Sequence, residues 1–338
     1  MNRFTSIADF NAAFGNMPQP DFAAIEAASA RQAELTKPAG SLGRLEEIAI
    51  FMAGWQGRPR PKLERLKAAV FAGNHGVAAQ GVSAFPIEVT AQMVANFRAG
   101  GAAINALAGA CGAELAVVPI DLDRPTEDIT SDAAMSEADC LEALSIGASV
   151  VKPDMDLLFV GEMGIGNTTP ASALCAQSYG GSASSWTGRG SGVDDAALAR
   201  KTQAVEQALA LHGPHCDSPF EILRRLGGRE IAAMAGAILA ARLERVPVLL
   251  DGFICCAAIA PLAAALPQFT DHCIAGHCSS EAGHVRLLEA LGLDPLIQLN
   301  MRLGEGTGAA VAAQIVRSAI AAHESMATFA EAVVAQPS

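Results

Sequence analysis

Residues 300–308 read Asn-Met-Arg-Leu-Gly-Glu-Gly-Thr-Gly, which sets one carboxylate, Glu305, between glycines at the mouth of an Ala/Val-rich helical stretch over 309–321. Glycine on both sides lets the backbone turn sharply and come close to a bound molecule. The helix that follows offers unpaired N–H groups and a positive dipole end. A carboxylate there can meet a ligand with little steric cover and act in catalysis. The alternative is a helix cap, with Thr307 as N-cap and Glu305 solvated before it.

A second chemical segment, 159–170, reads Phe-Val-Gly-Glu-Met-Gly-Ile-Gly-Asn-Thr-Thr-Pro. The apolar run 157–160 passes into a glycine loop and then an Ala-rich helix. That order presents backbone N–H groups and the Thr168 and Thr169 hydroxyls to an anion. The glycines at 161, 164 and 166, with no Lys after them, fit neither the dinucleotide G-x-G-x-x-G nor the P-loop spacing. A phosphate site is expected, and a Rossmann-bound cofactor is not. A tight strand-to-helix turn explains the glycines equally well, while Glu162 and Asn167 beside them favour function.

In 187–195, Thr-Gly-Arg-Gly-Ser-Gly-Val-Asp-Asp, glycine turns lead into a helix expected over 194–211, and Asp194 and Asp195 read as its caps. Lys201 on that helix either neutralises a phosphate as a point charge or solvates a surface, where most lysines sit. A further loop, 72–86, follows the apolar run 68–71; its His75 is either an acid/base group or the cap of a strand end.

Together with 37–46 (Lys-Pro-Ala-Gly-Ser-Leu-Gly-Arg-Leu-Glu) and 250–253 (Leu-Asp-Gly-Phe), these segments resemble the nicotinate-nucleotide:dimethylbenzimidazole phosphoribosyltransferases, with six motifs in order from about residue 20 to about 320. The resemblance implies transfer of ribose 5-phosphate from nicotinate mononucleotide to 5,6-dimethylbenzimidazole, giving α-ribazole 5′-phosphate and nicotinate. A benzimidazole loses its N–H proton as its other nitrogen attacks C1′, so a carboxylate near the ring is the simplest acceptor. A β-nucleotide giving an α-product means inversion, hence one displacement and no covalent enzyme intermediate. The leaving nicotinate neutralises its own pyridinium charge, so no metal is expected to stabilise it.

By the same resemblance Glu305 is the general base and Glu162 lies near the ribose. Gly164, Gly166, Asn167 and Thr168 hold the phosphate and Lys201 helps neutralise it. The aromatic base would rest against Ser83, Phe85, Gln92, Met93, Met301 and Leu303, where polarisable Met side chains suit flat rings. A homodimer with sites near the interface is implied as well. The same parts can also build a nucleosidase, a phosphoribosyltransferase for another base, or a nucleotide sensor without turnover. Two carboxylates beside a phosphate loop make a catalytic set more than a sensing one.

The elements that must position these groups are strand-like runs at 67–72, 115–120, 156–160, 246–250 and 296–299, alternating with helical stretches at 87–109, 133–147, 193–211, 229–243 and 308–322. Such alternation predicts an α/β fold, a parallel Rossmann-like sheet with helices on both faces. Loops beginning at Gly73, Gly161, Asp251 and Arg302 then share the carboxyl ends of strands, where ligands bind. Helical stretches at 22–35, 42–55 and 325–334 can pack as a small helical domain. The resemblance draws it from both ends, 1–65 with 323–338, leaving 66–322 as the large catalytic domain.

Composition bounds the remainder. With 338 residues, 51% hydrophobic, 17% charged and 32 glycines, the chain reads as a soluble α/β enzyme. Its 23 basic against 35 acidic residues, a net charge of −12, argue against a nucleic-acid partner, and the resemblance implies small-molecule substrates. Eight Cys without repeated spacing, Cys255 and Cys256 adjacent, suit reduced core thiols of a cytoplasmic protein. The nineteen uncharged residues 252–270 approach the ~20 needed to span a bilayer, yet they hold Pro261 and Pro267 and follow a strand-like run, so a buried helix is expected instead. His272, Cys273, His277, Cys278 and His284 fall at irregular spacings that do not match zinc ligands. That segment reads as a turn with Ser279 capping a helix over 280–291, or also as lining of the ligand site. The first 21 residues, with Arg3 and Asp9, lack a long apolar run for secretion or anchoring.

Overall fold

The computed structural model describes residues 4–190 and 192–335; Arg3, Ser191 of the glycine-rich turn and the last residues of the expected terminal unit lie outside them. Strands β1 (Leu66–Ala72), β2 (Ala113–Pro119), β3 (Leu157–Met163), β4 (Val248–Leu250) and β5 (Cys273–Ala275) form one parallel sheet in the order β2-β1-β3-β4-β5. Their side chains alternate between two cores. Ala69, Phe71, Leu158, Val160, Val248 and Leu250 face one; Leu66, Ala68, Val70, Leu157, Phe159 and Leu249 face the other. Burial on both faces is why these strands read as continuous apolar runs.

Fourteen α-helices accompany the sheet among the described residues. In chain order they are α1 (Ile7–Gly15), α2 (Phe22–Glu34), α3 (Arg44–Gln56), α4 (Glu88–Ala99), α5 (Ala103–Cys111), α6 (Glu137–Ser149) and α7 (Thr168–Tyr179). There follow α8 (Asp195–His212), α9 (Pro219–Leu226), α10 (Arg229–Leu243), α11 (Phe253–Ala265), α12 (Ala282–Leu291), α13 (Thr307–Ser325) and α14 (Phe329–Ala332). Helices α6 to α12 close the first core, and α3, α4, α5 and α13 the second. Helix α1 packs on the first core, where Phe10 meets Phe4, Phe14 and Phe220. The end of α13 is tied to α2, since Arg31 Nε donates to the His323 carbonyl at 2.9 Å and Arg31 Nη2 to those of Glu324 and Met326 at 3.1 Å.

Four expectations need correction. The fifth strand is 273–275 rather than 296–299; Ile297 forms a single parallel bridge with His277, extending the sheet edge without making a strand. The stretch 87–109 is two helices, because Gly100 at φ +79 ends α4 and Ala102 opens α5. The helix expected over 325–334 shrinks to the four residues of α14, stopped at Val333 by φ +53. The helix after Ser279 begins at Ala282 behind Glu281, and Ser279 does not cap it: its N–H donates to His284 Nδ1 at 2.9 Å, with the hydroxyl as close. The uncharged run 252–270 holds the buried helix α11 and, from Pro267, a short 3-10 helix, and no helix among the described residues is long and apolar enough to cross a membrane.

Helices α6 and α10 touch backbone to backbone. A methyl group on Gly147 would collide with the Ala233 carbonyl, and one on Gly236 with that of Leu144. Neither obstacle is a flexible side-chain end, so the helices themselves would have to separate. Gly236→Ala is therefore expected to destabilise the fold by about 1–3 kcal/mol despite its gain in helix propensity, read as a lower midpoint in urea unfolding. A rise in the midpoint would show that the interface has room.

Candidate active site

The strand order turns back between β1 and β3, the position at which ligands enter sheets of this kind, and a cavity of about 370 Å³ opens there. Residues following β3, β4 and β5 meet in its wall with 302–305, part of α8 and the 82–93 segment. Of the residues singled out in the sequence, Glu305, Glu162, Gly164, Gly166, Asn167, Thr168, Lys201, Ser83, Phe85, Met93 and Leu303 line it. Gln92 and Met301 do not. On α4, Val89 and Met93 face the cavity one turn apart while Gln92 stands in solvent. The Met301 carbonyl accepts from Ser280 N at 3.0 Å, and its side chain is outside the lining.

Glu305 sits in an uncommon backbone. Gly304, Glu305 and Gly306 have φ of +79, +62 and +83, three left-handed residues in succession, of which only the glycines adopt that region freely. The turn lies flat against β3, where a methyl group on Gly161 would run into the Glu305–Gly306 peptide. Thr307 is the first residue of α13 and its hydroxyl donates back to the Gly304 carbonyl at 2.7 Å, so it is not the cap. The helix N-terminus is not open to a ligand either. Asp251, just after β4, takes it: Oδ2 accepts from Gly306 N at 3.2 Å and Oδ1 from Ala309 N at 2.9 Å. The Glu305 carboxylate is buried with Oε2 unpartnered. Burial raises its pKa and the charge of Asp251 adds to the rise, against a backbone amide of the first turn of α5, that of Ile104.

Glu162 lies alongside, its carboxylate against the Cα of Gly304, and accepts a hydrogen bond from Asn167 Nδ2. Burial pushes its pKa up to about 8, helped by the nearby charges of Glu230, Asp251 and Glu305 and opposed by Asn167. The loop then enters α7, whose first turn carries no acidic residue. A methyl group on Gly190 would stand 3.5 Å from Thr168 Oγ1 and 3.7 Å from Lys201 Nζ, so three chain segments converge on one point. Thr169, by contrast, is buried outside the lining. Lys201 is no surface lysine: it is 1% exposed and donates to the Gly188 carbonyl at 2.8 Å. Burial lowers its pKa to about 8, against the pull of Glu281. An anion delivered to this point meets a cation and a helix N-terminus.

Val82, Phe85, Val89, Met93 and Leu303 give the cavity an apolar part of its wall, and Phe85 and Leu303 remain 50% and 58% exposed. His75 is neither a cavity acid/base group nor a strand-end cap. It is wholly buried, Nε2 2.5 Å from Glu230 Oε1, beneath Gly164 of the loop. Asp251, His277, Arg189, Glu281 and Arg302 line the cavity without having been singled out for it. Asp251 and Arg302 open two of the loops expected at the carboxyl ends of strands, Arg189 lies in the glycine-rich turn 187–195, and His277 and Glu281 lie in the His/Cys-rich segment. Within that segment His272 is bonded to two carbonyls, and burial holds it and His284 down at about 3. No group of three or more His, Cys, Asp or Glu among the described residues could hold a metal ion.

A family model described as Phosphoribosyltransferase matches residues 17–334. The chain is 65% identical to the nicotinate-nucleotide--dimethylbenzimidazole phosphoribosyltransferase of Novosphingobium aromaticivorans, covering 99% of both chains. It is 59% identical to the protein of that name from Cereibacter sphaeroides, over 98% of each. Among solved structures, CobT from Thermus thermophilus superposes with a TM-score of 0.87 at 40% identity, over 93% of this chain and all of that one.

The raised pKa of Glu162 has a thermodynamic counterpart. Between its ordinary value of 4.5 and about 8, the folded chain keeps a proton that the unfolded chain has released, so stability falls as pH rises through that window. Glu162→Gln removes this proton exchange. Its unfolding free energy in urea is expected to fall less than that of the wild type between about pH 5 and about pH 8. Parallel pH dependences in the two proteins would refute a protonated Glu162.

Proposed function

The chain belongs to the nicotinate-nucleotide--dimethylbenzimidazole phosphoribosyltransferase family, and from that premise we propose that it transfers ribose 5-phosphate from nicotinate mononucleotide to 5,6-dimethylbenzimidazole, releasing α-ribazole 5′-phosphate and nicotinate. The observation that carries the reading is the buried Glu305 carboxylate with a free oxygen, set between an apolar wall fit for a flat ring and a loop fit for a phosphate.

In the proposed reaction one benzimidazole nitrogen attacks C1′ from the face opposite nicotinate. The C1′–pyridinium bond breaks with its electron pair staying on nicotinate, and the other benzimidazole nitrogen gives its proton to Glu305. The raised pKa of Glu305 supports this role, because a base works best when its pKa approaches the working pH. Glu162, protonated near neutrality, would not compete for that proton and can donate to a ribose oxygen instead. Gly164, Gly166, Asn167, Thr168 and Lys201 are the proposed phosphate cradle; Ser83, Phe85, Met93 and Leu303 the proposed ring contacts. A single displacement with inversion needs no enzyme nucleophile, consistent with a cavity whose one thiol, Cys255, has its pKa pushed up by burial.

Mixing the protein with both substrates should yield α-ribazole 5′-phosphate and nicotinate in equal amounts by chromatography and mass spectrometry. Nicotinate with free ribose phosphate would identify a hydrolase instead, and binding without product a sensor. Glu305→Gln is expected to lose ~10²- to 10⁴-fold in kcat while still binding the nucleotide; turnover near the wild-type rate would remove Glu305 from the mechanism. Lys201→Ala is expected to raise the KM for nicotinate mononucleotide more than it lowers kcat, as for a group that contacts phosphate in ground and transition states alike. An unchanged KM would take Lys201 out of the phosphate site.

A further inference from the structure

Asp251 lines the cavity, yet no step of the transfer calls on it. It is 2% exposed, and its carboxylate spends both oxygens on the start of α13, through Gly306 N and Ala309 N. His277, packed over Gly308, brings Nε2 to 3.6 Å from Oδ1. A bare helix N-terminus would pull on any nearby anion; here a carboxylate built into the chain occupies it. The amide of Gly306 belongs to the peptide that carries Glu305. Asp251 therefore grips the left-handed turn from β4 while Gly161 supports it from β3.

We infer that Asp251 is a positioning residue for the transfer: it locks the turn of Gly304, Glu305 and Gly306 so that the Glu305 carboxylate faces the cavity, and it shields that carboxylate from the positive end of α13. The inference rests on Glu305 being the base. Two consequences separate it from a purely structural cap. Without the grip on Gly306, Glu305 can leave φ +62 for the conformations an L-residue prefers, and its carboxylate then leaves the ring. Without the negative charge, the positive helix end favours the ionised form of Glu305, so the carboxylate titrates at lower pH and becomes a weaker base. The charge of Asp251 does act in that direction on Glu305, second to burial among the raising influences. Other charged or titratable groups on the cavity wall are Glu162 from β3, Cys255 from α11, His277 beyond β5, Glu281 before α12, Arg302 on the loop of Glu305, Lys201 from α8 and Arg189. Helices α4 and α5 contribute none to the lining. His277 and Glu162 also feel the charge at 251, and the Glu305→Gln background separates their part from that of Glu305.

The test is a double-mutant cycle of Asp251→Asn and Glu305→Gln, following kcat, KM and the pH dependence of kcat/KM. Asn keeps the size of Asp but can accept only through one oxygen, and its amide then opposes the second N–H. Alone, Asp251→Asn is expected to lower kcat by about tenfold or more, since small misplacements of a catalytic group are costly, with the KM for nicotinate mononucleotide within about threefold. The acid limb of its kcat/KM profile moves to lower pH. In the Glu305→Gln background the added effect on kcat shrinks to about twofold or less, because no base is left to position. An equal loss in both backgrounds, a KM effect larger than the kcat effect, or an unmoved acid limb would overturn the inference while leaving Glu305 as base. Near-wild-type turnover by Glu305→Gln alone would overturn the base assignment, and the inference with it. If Asp251→Asn does not fold, Asp251→Ser, whose hydroxyl can still accept one of the two N–H groups, goes through the same cycle under the same criteria.

Discussion

An atom that is missing governs this structure. Gly161 has no Cβ, and the Glu305–Gly306 peptide occupies the space where one would be. Backbone thereby rests on backbone at the end of β3, and the turn that carries the carboxylate sits at van der Waals distance from the sheet. With any side chain at 161 the turn would ride higher and lose the amides that Asp251 receives. The floor of the cavity, the start of α13 and the direction of Glu305 all follow from that one close approach. The motif around Gly161 thus has two different reasons for its glycines. Gly161 serves sheet packing, whereas Gly166, at φ +88, serves the turn into α7.

The site also shows how a chain of net charge −12 sets a cation near a helix N-terminus, the arrangement the proposed phosphate cradle needs. Three buried carboxylates, Glu162, Asp251 and Glu305, surround the same cavity as one buried lysine. Desolvation works on both kinds of group, moving Glu162 up and Lys201 down until each has a pKa of about 8. Asp251 spends both carboxylate oxygens on helix amides, and His75 and Glu230 face each other beneath the loop. The site is consequently less charged than its residue types suggest. A phosphate entering it would draw Lys201 back toward its charged form.

Much of this was legible in the sequence because the relevant signals are local. Helix α10 lies where its apolar density predicts, at 229–243, and Asp194 caps α8 as its place in the first turn suggests. The loops at 161–168 and 302–305 announce themselves because glycine, a carboxylate and a helix start coincide within a few residues. What escaped depends on contacts distant in sequence. Three residues of β5 carry no measurable alternation and are strand only by pairing with β4. The 296–299 run has the stronger strand composition but reaches the sheet edge through a single bridge. Gln92 and Met93 are neighbours in sequence, and which of them faces the cavity is decided by the rotation of α4 against β3. The residue type of Lys201 leaves phosphate and solvent both open, and only α8 laid over the Gly188 and Gly190 turn shows the side chain buried. Asp251 opens one of the loops expected at the carboxyl ends of the strands, but its role in capping a helix that starts 56 residues later has no local signature.

The last-mentioned separation bears on how a newly made chain acquires its parts. Emerging from the N-terminus, it carries β1, β2, β3 and the proposed phosphate cradle well before Asp251 appears, and Asp251 well before Glu305. The floor of the cavity closes only when the final stretch folds back onto strands already in place, a contact of long sequence separation and so a slow one to form. During synthesis the residues of the proposed cradle are therefore all present before the proposed base has been added, and the cavity has no floor until the end of the chain arrives.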